Sequence, residues 1–511
     1  MSDFQTVGIV GAGAMGRGIA QIAAQAGLQV MLFDQDPKMV DEARDSLQKI
    51  WQRLIEKERM TSDDAQAALA RIEICSSLEQ MKDAQLVIEA IIENLDIKRE
   101  LFAQLEALVS DDCILASNTS SLSITAIAAS CKRPQRVVGY HFFNPVPLMK
   151  VVEVIDGLRS DPAVGDRLMA LARRMGHTPV RAKDMPGFIV NHAGRGMTIE
   201  GPRMAQEGVA PFYQIDAIMR EQAGFRMGPF ELLDLTALDV SHPVMETIYR
   251  QFYDEPRFRP SPLTAVRLSG GLLGRKTGEG FYRYIDGKKQ LPSEPAVPQM
   301  AAGLQVWVCP EEAQGYEQTV ALLKQLGAKL DEGDKPAERA LIVVTPLGED
   351  VSTVVARNQL DGRRTVGLDT FFGLEAGKRR VLMCSPATEP GWRDAAHALF
   401  AADETAVSII NDSAGFVGQR MVAAIVNVAC DIAQQNIASP NDIDLAVSLG
   451  LGYPDNGPLS MGDKLGADRI VKVLANMYRV TGDNRYRASL WLQRRVQLGL
   501  SLRDEAKCTA E

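Results

Sequence analysis

The chain has 511 residues, of which 46% are hydrophobic and 24% are charged, a composition typical of globular proteins with several domains. Its formal net charge of −9 argues against nucleic acid or an anionic membrane as the main partner. Seven scattered cysteines form no C-x-x-C pair and five histidines have no metal-ligand spacing, so we expect neither a disulfide scaffold nor a metal site. We see no signal peptide or membrane-spanning stretch, and expect a cytoplasmic protein.

The N-terminus predicts a strand, a glycine-rich turn and a helix. Gly11, Gly13 and Gly16 are spaced as G-x-G-x-x-G directly after an apolar strand at 6–10. In this setting the first glycine permits a tight turn, the second lets the backbone approach a pyrophosphate, and the third lets helix and strand pack closely. The alternative is a glycine-rich packing turn that binds nothing.

A carboxylate completes the predicted nucleotide site. Asp34 ends the second apolar strand, 18 residues beyond Gly16, where it can accept hydrogen bonds from an adenosine ribose. The same carboxylate would repel a 2′-phosphate. The pattern therefore predicts NAD rather than NADP, and we expect Ala14 and Met15 at the helix start to contact the cofactor.

Strands and helices alternate as far as about residue 183, which predicts a doubly wound, mainly parallel α/β sheet. Polar clusters at 117–121 and 141–144 follow two of these strands, and ligands bind beyond the carboxyl ends of strands in such sheets. Glu153 interrupts the apolar strand 151–155. Because burying an unpartnered carboxylate is costly, Glu153 either faces solvent or accepts a hydrogen bond from a specific donor.

The second half of the chain repeats the first at an offset of 228 residues. The stretch 186–189 aligns with 414–417, and Ile215–Asp216 aligns with Ile443–Asp444. A single offset maintained over this length predicts an internal duplication. The second copy contains no G-x-G-x-x-G between 285 and 412.

Five segments follow from these patterns. We expect a Rossmann-type NAD-binding domain at 1–185, an all-α domain at 186–285, a polar linker at 286–302, a degenerate Rossmann-like domain without a nucleotide site at 303–411, and a second all-α domain at 412–511.

Five motifs in chain order resemble the L-3-hydroxyacyl-CoA dehydrogenase family. They are G-A-G-A-M-G-R-G-I-A-Q, E-N-L-D-I-K, S-N-T-S-S-L, H-F-F-N-P-V-P-L-M-K-V-V-E-V-I and P-G-F-I-V-N. The resemblance covers 1–285 closely and the last helical segment more weakly. It implies NAD-dependent oxidation of an (S)-3-hydroxyacyl-CoA to the 3-oxoacyl-CoA. The two-copy length is similar to bacterial members of phenylacetate degradation, which act on 3-hydroxyadipyl-CoA.

The resemblance also implies roles for individual residues. His141 would be the general base, since an imidazole with an ordinary pKa near 6.5 accepts a proton around neutral pH. Glu153 would orient the ring, and Ser120 and Asn191 would bind the C3 oxygen or the thioester carbonyl of the substrate. The second copy has lost this chemistry, because its equivalent positions are Asp369, Val381, Gly348 and Gln419.

Three further positions match the cofactor contacts of the family: Glu93, Lys98 and Asn118. Taken singly, each predicted site residue has an ordinary structural explanation, such as a helix cap for Ser120 or a surface carboxylate for Glu153. Their joint spacing favours catalysis.

Other functions remain open at this point. One is a 3-hydroxybutyryl-CoA dehydrogenase of short-chain fatty acid or butanoate metabolism, and another is a non-catalytic, crystallin-like relative. A different β-hydroxyacid dehydrogenase is disfavoured, since those tend to use a lysine base. The length and the absence of a crotonase-like half exclude a fused hydratase.

The helical segments carry two expectations about binding and assembly. Their basic residues form either a solvated face or a contact for CoA phosphates; these are Arg257, Arg259, Arg267, Arg275 and Lys276. One-copy members of the family dimerise through their helical domains. We therefore expect 412–505 to pack against 187–284 as an internal pseudo-dimer, with further homo-oligomerisation possible.

Overall fold

A computed structural model describes residues 4–300 and 303–505 of the chain. These residues divide into two compact units. The first contains the chain up to His192 together with Gln435–Gly452, and the second contains the other described residues. The predicted segments 1–185, 286–302 and 412–511 each extend beyond the described residues. None of the described helices is both long and apolar enough to cross a membrane.

The first unit is built on one sheet of eight strands. They are β1 (Thr6–Val10), β2 (Gln29–Phe33), β3 (Ile72–Ile74), β4 (Leu86–Glu89), β5 (Ile114–Ser117), β6 (Val137–Phe142), β7 (Val151–Asp156) and β8 (Thr178–Lys183). Their order is β3-β2-β1-β4-β5-β6-β7-β8, and all neighbours are parallel except β6 and β7. This confirms the predicted doubly wound, mainly parallel sheet.

Helices accompany this sheet. They are α1 (Ala14–Gln25), α2 (Pro37–Glu56), α3 (Ser62–Ala70), α4 (Leu95–Leu108), α5 (Ile124–Ala128), α6 (Pro162–Arg174) and α7 (Val190–Ala193). In α2 the Asp36 side chain caps the first turn and Pro37 occupies a position where its missing N–H costs nothing. One stripe of α2, with Leu47 and Trp51, is buried because apolar residues recur at helical spacing.

The second unit begins with a helical segment. It contains α8 (Arg195–Gln206), α9 (Phe212–Glu221), α10 (Pro229–Thr236), α11 (Leu238–Gln251) and α12 (Pro262–Ser269), followed by the short strands β9 (Tyr284–Ile285) and β10 (Lys288–Lys289). These two strands pair antiparallel. The segment 286–302 is therefore not a linker over its whole length, since its first residues close a hairpin on β9.

A second sheet follows with six strands. The elements are β11 (Gln305–Val308), α13 (Ala313–Gln325), β12 (Lys329–Leu330), β13 (Ala340–Val344), α14 (Val351–Asn358), β14 (Thr365–Leu368), β15 (Arg380–Cys384), α15 (Pro390–Phe400) and β16 (Val407–Asn411). The order is β12-β11-β13-β14-β15-β16, with β14 and β15 antiparallel. The run β13-β14-β15-β16 therefore repeats β5-β6-β7-β8, including the one reversal, as the internal repeat predicts.

The last helices are α16 (Val417–Gln434), α17 (Pro440–Leu451), α18 (Pro458–Leu465), α19 (Ala467–Thr481) and α20 (Leu490–Leu498). In the second unit α16 packs along α8. A Cβ on Gly196 would lie 2.7 Å from the Cα of Ile425, so the two backbones approach closely. Arg420 and Glu200 form a buried ion pair at 2.6 Å in the same contact. The two helical segments thus pack together, as expected.

Two backbone hydrogen bonds show that the two copies exchange contacts. In the first unit the N–H of Lys183 donates to the carbonyl of Ile437 (2.8 Å), and in the second the N–H of Asn411 donates to the carbonyl of Val209 (2.9 Å). Adding 228 to the first-copy residue of either bond gives the second-copy residue of the other. Such reciprocity is the property of an isologous two-fold interface.

Candidate active site

The glycine turn after β1 is shaped by two close approaches. Gly11 has φ +106°, and its N–H donates to the carbonyl of Phe33 at 2.8 Å. A Cβ on Gly11 would lie 2.5 Å from the oxygen of Ala90, and one on Gly16 would lie 1.7 Å from the oxygen of Gly11. A side chain at either position would therefore break the turn.

Gly13 serves a different purpose. It is the N-cap residue of α1, and a Cβ there would meet nothing within 4 Å. Its missing side chain leaves open space in front of the first turn, which contains Ala14 and Met15 and no acidic residue. Unpaired N–H groups and the helix dipole favour an anion at this place. The turn fits a dinucleotide pyrophosphate.

Asp34 fixes the same turn from the neighbouring strand. Its Oδ2 accepts a hydrogen bond from the N–H of Ala12 at 2.7 Å, and its Oδ1 accepts one from Asp36 at 3.0 Å. A carboxylate can accept about four hydrogen bonds, so capacity remains for ribose hydroxyls.

Strand pairing brings His141 and Glu153 together. The antiparallel register of β6 and β7 places the two residues directly opposite each other. Nδ1 of His141 lies 2.6 Å from Oε2 of Glu153, and the residues are only 4% and 0% exposed. The spacing of twelve residues is therefore the length of chain needed to leave β6 and return one strand further along.

The second oxygen of Glu153 is bound by backbone. Oε1 accepts hydrogen bonds from the N–H groups of Ile189 and Val190, each at 2.9 Å. The preceding residues Gly187 and Phe188 both have positive φ, which turns these N–H groups toward the carboxylate. The P-G-F-I-V-N motif thus satisfies a buried carboxylate that would otherwise be costly.

Asn191 and Ser120 belong to the same hydrogen-bonded network. Nδ2 of Asn191 donates to the backbone carbonyl of Ser120 at 3.2 Å, and Asn191 directly follows Val190. Oδ1 of Asn118 accepts from the N–H of Phe142, the residue after His141, at 2.9 Å. The structure therefore joins all four predicted catalytic residues, and Asn118, at the carboxyl ends of β5 and β6.

Glu93 organises the loop that carries Ser120. Its Oε1 accepts from the N–H of Ser120 at 2.9 Å, from the N–H of Ser121 at 3.0 Å and from the hydroxyl of Thr119 at 2.7 Å. Burial raises the pKa of the Glu93 carboxyl, but the Lys98 ammonium and these donors outweigh it, so the pKa lies below its ordinary value.

Lys98 lies behind this loop rather than on its open side. It is 1% exposed, and its ammonium pairs with Glu89 at 2.5 Å and with Glu93 at 3.3 Å. Sequence reasoning missed Glu89, which also accepts from the hydroxyl of Ser117 at 2.6 Å. Its only sequence signal is a carboxylate that ends the apolar strand β4.

A cleft of about 580 Å³ adjoins the loop that follows His141. Apolar side chains of α1 and α2 line it together with the 144–148 stretch. Its lining includes the cationic residues Arg17, Lys150 and Arg174 and no carboxylate. Such a cleft suits an extended apolar ligand with anionic groups.

The basic residues of the helical segment are mainly structural, contrary to the expectation of a solvated face. Arg257 is 8% exposed and forms an ion pair with Asp431, and Arg267 stacks on the ring of Phe281 and donates to the carbonyl of Gly280. Exposed cations remain at Arg259, Arg275 and Lys276.

Comparisons with known proteins identify the family. The model of the 3-hydroxyacyl-CoA dehydrogenase NAD binding domain matches residues 6–185, and that of the C-terminal domain matches 187–284 and 415–508. The chain belongs to the 3-hydroxyacyl-CoA dehydrogenase family. The dehydrogenase therefore contains one matched NAD-binding domain and two matched helical domains, and the glycine turn lies in the NAD-binding domain.

Relatives cover either the whole dehydrogenase or its first half. A 3-hydroxyadipyl-CoA dehydrogenase of Escherichia coli K12 is 35% identical over 98% of both chains. A probable 3-hydroxybutyryl-CoA dehydrogenase of Deinococcus radiodurans is 42% identical over 54% of this chain and 99% of its own. A crystal structure named 3-hydroxybutyryl-CoA dehydrogenase, from E. coli K12, has a TM-score of 0.85 at 34% identity and covers 97% of this chain and 99% of that one.

The family and the geometry agree on the cofactor. The protein is an NAD-dependent dehydrogenase, and the residues at the N-terminus of α1 fit NAD. Within residues 4–300 and 303–505, no group of three or more His, Cys, Asp or Glu side chains is arranged to bind a metal ion.

Proposed function

We propose that this dehydrogenase oxidises (S)-3-hydroxyadipyl-CoA to 3-oxoadipyl-CoA with NAD, in phenylacetate catabolism in the cytoplasm. The reaction is supported above all by the buried His141–Glu153 pair, with 2.6 Å between Nδ1 and Oε2, in the unit that contains the glycine turn. The substrate is supported by the E. coli relative named 3-hydroxyadipyl-CoA dehydrogenase, which aligns over the full length.

In this mechanism His141 accepts the proton of the C3 hydroxyl. With Nδ1–H donating to Glu153, the lone pair for that proton is on Nε2. Bound NAD supplies the acceptor for the hydride that leaves C3. The imidazolium formed at His141 lies beside the Glu153 carboxylate, which stabilises its charge. The N–H groups of Ile189 and Val190 keep that carboxylate in place.

Ser120 and Asn191 orient the substrate. Each can donate a hydrogen bond to the C3 oxygen or to the thioester carbonyl, and their mutual contact fixes their separation. Holding C3 in line with both the base and the hydride acceptor converts binding into rate.

The cofactor contacts divide into direct and indirect ones. Gly11, Gly13, Ala14, Met15 and Gly16 surround the pyrophosphate, and Asp34 accepts from the adenosine ribose. Glu93 and Asn118 lie on the nicotinamide side. We propose that Lys98, which is 1% exposed, acts by fixing Glu93 rather than by touching NAD.

The cleft after His141 receives the acyl-CoA in this account. Arg17 and Lys150 provide cations for phosphate or carboxylate groups, and the apolar lining suits the pantetheine or acyl chain. The contact of α8 with α16 takes the place of the dimer contact of one-copy relatives, and further homo-oligomerisation would use other surfaces.

The substrate is tested by comparing kcat/KM for (S)-3-hydroxyadipyl-CoA and (S)-3-hydroxybutyryl-CoA at saturating NAD. We expect the six-carbon dicarboxylic substrate to be preferred by at least about tenfold, equivalent to about 1.4 kcal/mol of binding by its added groups. An equal or reversed preference contradicts this assignment.

A second candidate is a short-chain 3-hydroxybutyryl-CoA dehydrogenase, which the names of the D. radiodurans relative and of the E. coli crystal structure favour. The reversed preference in the same experiment would support it. Absence of any NADH oxidation with acetoacetyl-CoA would instead support a non-catalytic relative.

A further inference from the structure

The positions equivalent to the catalytic residues form a closed, buried cluster in the second copy. Asp369, equivalent to His141, is 0% exposed and accepts a hydrogen bond from Nε2 of Gln419 at 2.8 Å. Gln419, equivalent to Asn191, is also 0% exposed, and its Oε1 accepts from the N–H of Gly348 at 2.9 Å. The site residues of this copy therefore bind one another.

A side chain from the first copy completes this closure. Gln222 follows α9, is 4% exposed and contributes a hydrogen bond to Asp369. Room for it comes from Gly418, whose Cβ would lie 3.1 Å from Oε1 of Gln222. In the second copy, a glutamine from the other half thus reaches the position of the catalytic histidine.

The same contact in the catalytic copy has the opposite sizes. The position equivalent to Gln222 is Gly450 on α17, and the position equivalent to Gly418 is Val190. A Cβ on Gly450 would lie 3.1 Å from both methyl groups of Val190 and 3.6 Å from Cγ1 of Val151. The bulk comes from the catalytic half, and nothing crosses from α17.

A glycine inside α17 needs a packing reason. It costs about 1 kcal/mol relative to alanine in a helix interior. Val190, which Gly450 faces, donates its N–H to Glu153 at 2.9 Å and precedes Asn191. Displacing Val190 would therefore move the donor that fixes Glu153 and the residue that binds Ser120.

We propose that Gly450 is a positioning residue of the active site. Its missing side chain lets α17 of the second copy lie against Val190 without a group crossing toward His141, while Gln222 seals the equivalent place in the second copy. The pair Gly450 and Gln222 thus determines which copy is open to substrate. This inference rests on the proposed function, because it takes His141 and Glu153 as the reacting pair.

The test uses the full-length chain, with acetoacetyl-CoA and NADH as substrates. Gly450→Gln should lower kcat by about 100-fold, the loss expected when a reacting group is misplaced by about 1 Å, with KM for NADH within about twofold. Gly450→Ala should lose less, because its Cβ only touches Val190. The pH dependence of kcat should shift in Gly450→Gln, since the new amide joins the histidine–glutamate pair, whereas a purely structural loss would leave its shape unchanged.

Two further variants separate positioning from misfolding. Gln222→Ala, the matched change in the other copy, should keep wild-type kcat, and a comparable loss there overturns the inference. The double variant Val190→Gly/Gly450→Gln reproduces the sizes found at Gly418 and Gln222, so it should regain the thermal midpoint of the wild type but stay slow.

Recovery of full turnover in the double variant, or wild-type turnover and pH dependence in Gly450→Gln, also overturns the inference. An inactive wild-type chain would contradict the proposed function itself, so the two failures are distinguishable.

Discussion

Lys98 shows how a single residue can belong to a site without facing its ligand. Its ammonium is buried between Glu89 and Glu93, and Glu93 in turn binds the backbone of Ser120 and Ser121. Removing one partner of a buried ion pair is far more costly than removing a surface charge, because it leaves a carboxylate without a counter-charge.

Lys98→Met should therefore destabilise the first unit by about 3 kcal/mol or more. Hydrogen exchange of the β1 and β4 amides in urea measures this locally. The exposed helical residue Lys38 offers a matched control, and Lys38→Met should change stability by less than about 0.5 kcal/mol. Without the ammonium the pKa of Glu93 should also rise. A Lys98→Met protein as stable as the Lys38→Met protein would contradict this role.

At the scale of elements, the N-terminal sheet was predictable because its patterns are local. Apolar runs that end in a glycine turn or a polar cluster specify β1, β5 and β6, and ligand-binding residues lie at their carboxyl ends. The resemblance supplied the pairing of His141 with Glu153. The antiparallel register of β6 and β7 gives its physical reason.

Contacts between distant elements were not predictable in the same way. The burial of Lys98 depends on Glu89, which lies on another element and has no motif of its own. Arg257 was expected on a solvated face, but its partner Asp431 is on α16, more than 170 residues away. Nor does the sequence reveal that α17 lies against β7 and β8, since its own pattern fits any buried helix.

At the scale of the whole molecule, duplication has produced one open and one closed copy. Asp369 shows the consequence for stability. Burial raises the pKa of this carboxyl to about 6, despite the hydrogen bond from Gln419. The folded state therefore retains a proton that the unfolded chain releases near pH 3.8. Stability from this group is present below that pH and is lost as the pH rises through about 6.

Asp369→Asn should remove this loss. Thermal midpoints of the variant and the wild type should agree near pH 4.5 and diverge above pH 6, with the variant more stable. Asp403→Asn provides a control of opposite sign, because its hydrogen bond to Arg380 lowers the pKa of Asp403 to about 2. That change should destabilise the protein at neutral pH. A difference between Asp369→Asn and wild type that does not vary with pH would contradict the argument.

The central claim is that a carboxylate-oriented imidazole removes the alcohol proton beside NAD bound at the glycine turn. The most direct measurement is kcat for acetoacetyl-CoA reduction by the wild type and by His141→Gln, with NADH affinity measured in parallel. We expect kcat to fall by about 10²- to 10⁴-fold, the usual contribution of general acid–base catalysis, with NADH affinity unchanged. Wild-type turnover in the folded His141→Gln protein would contradict the account.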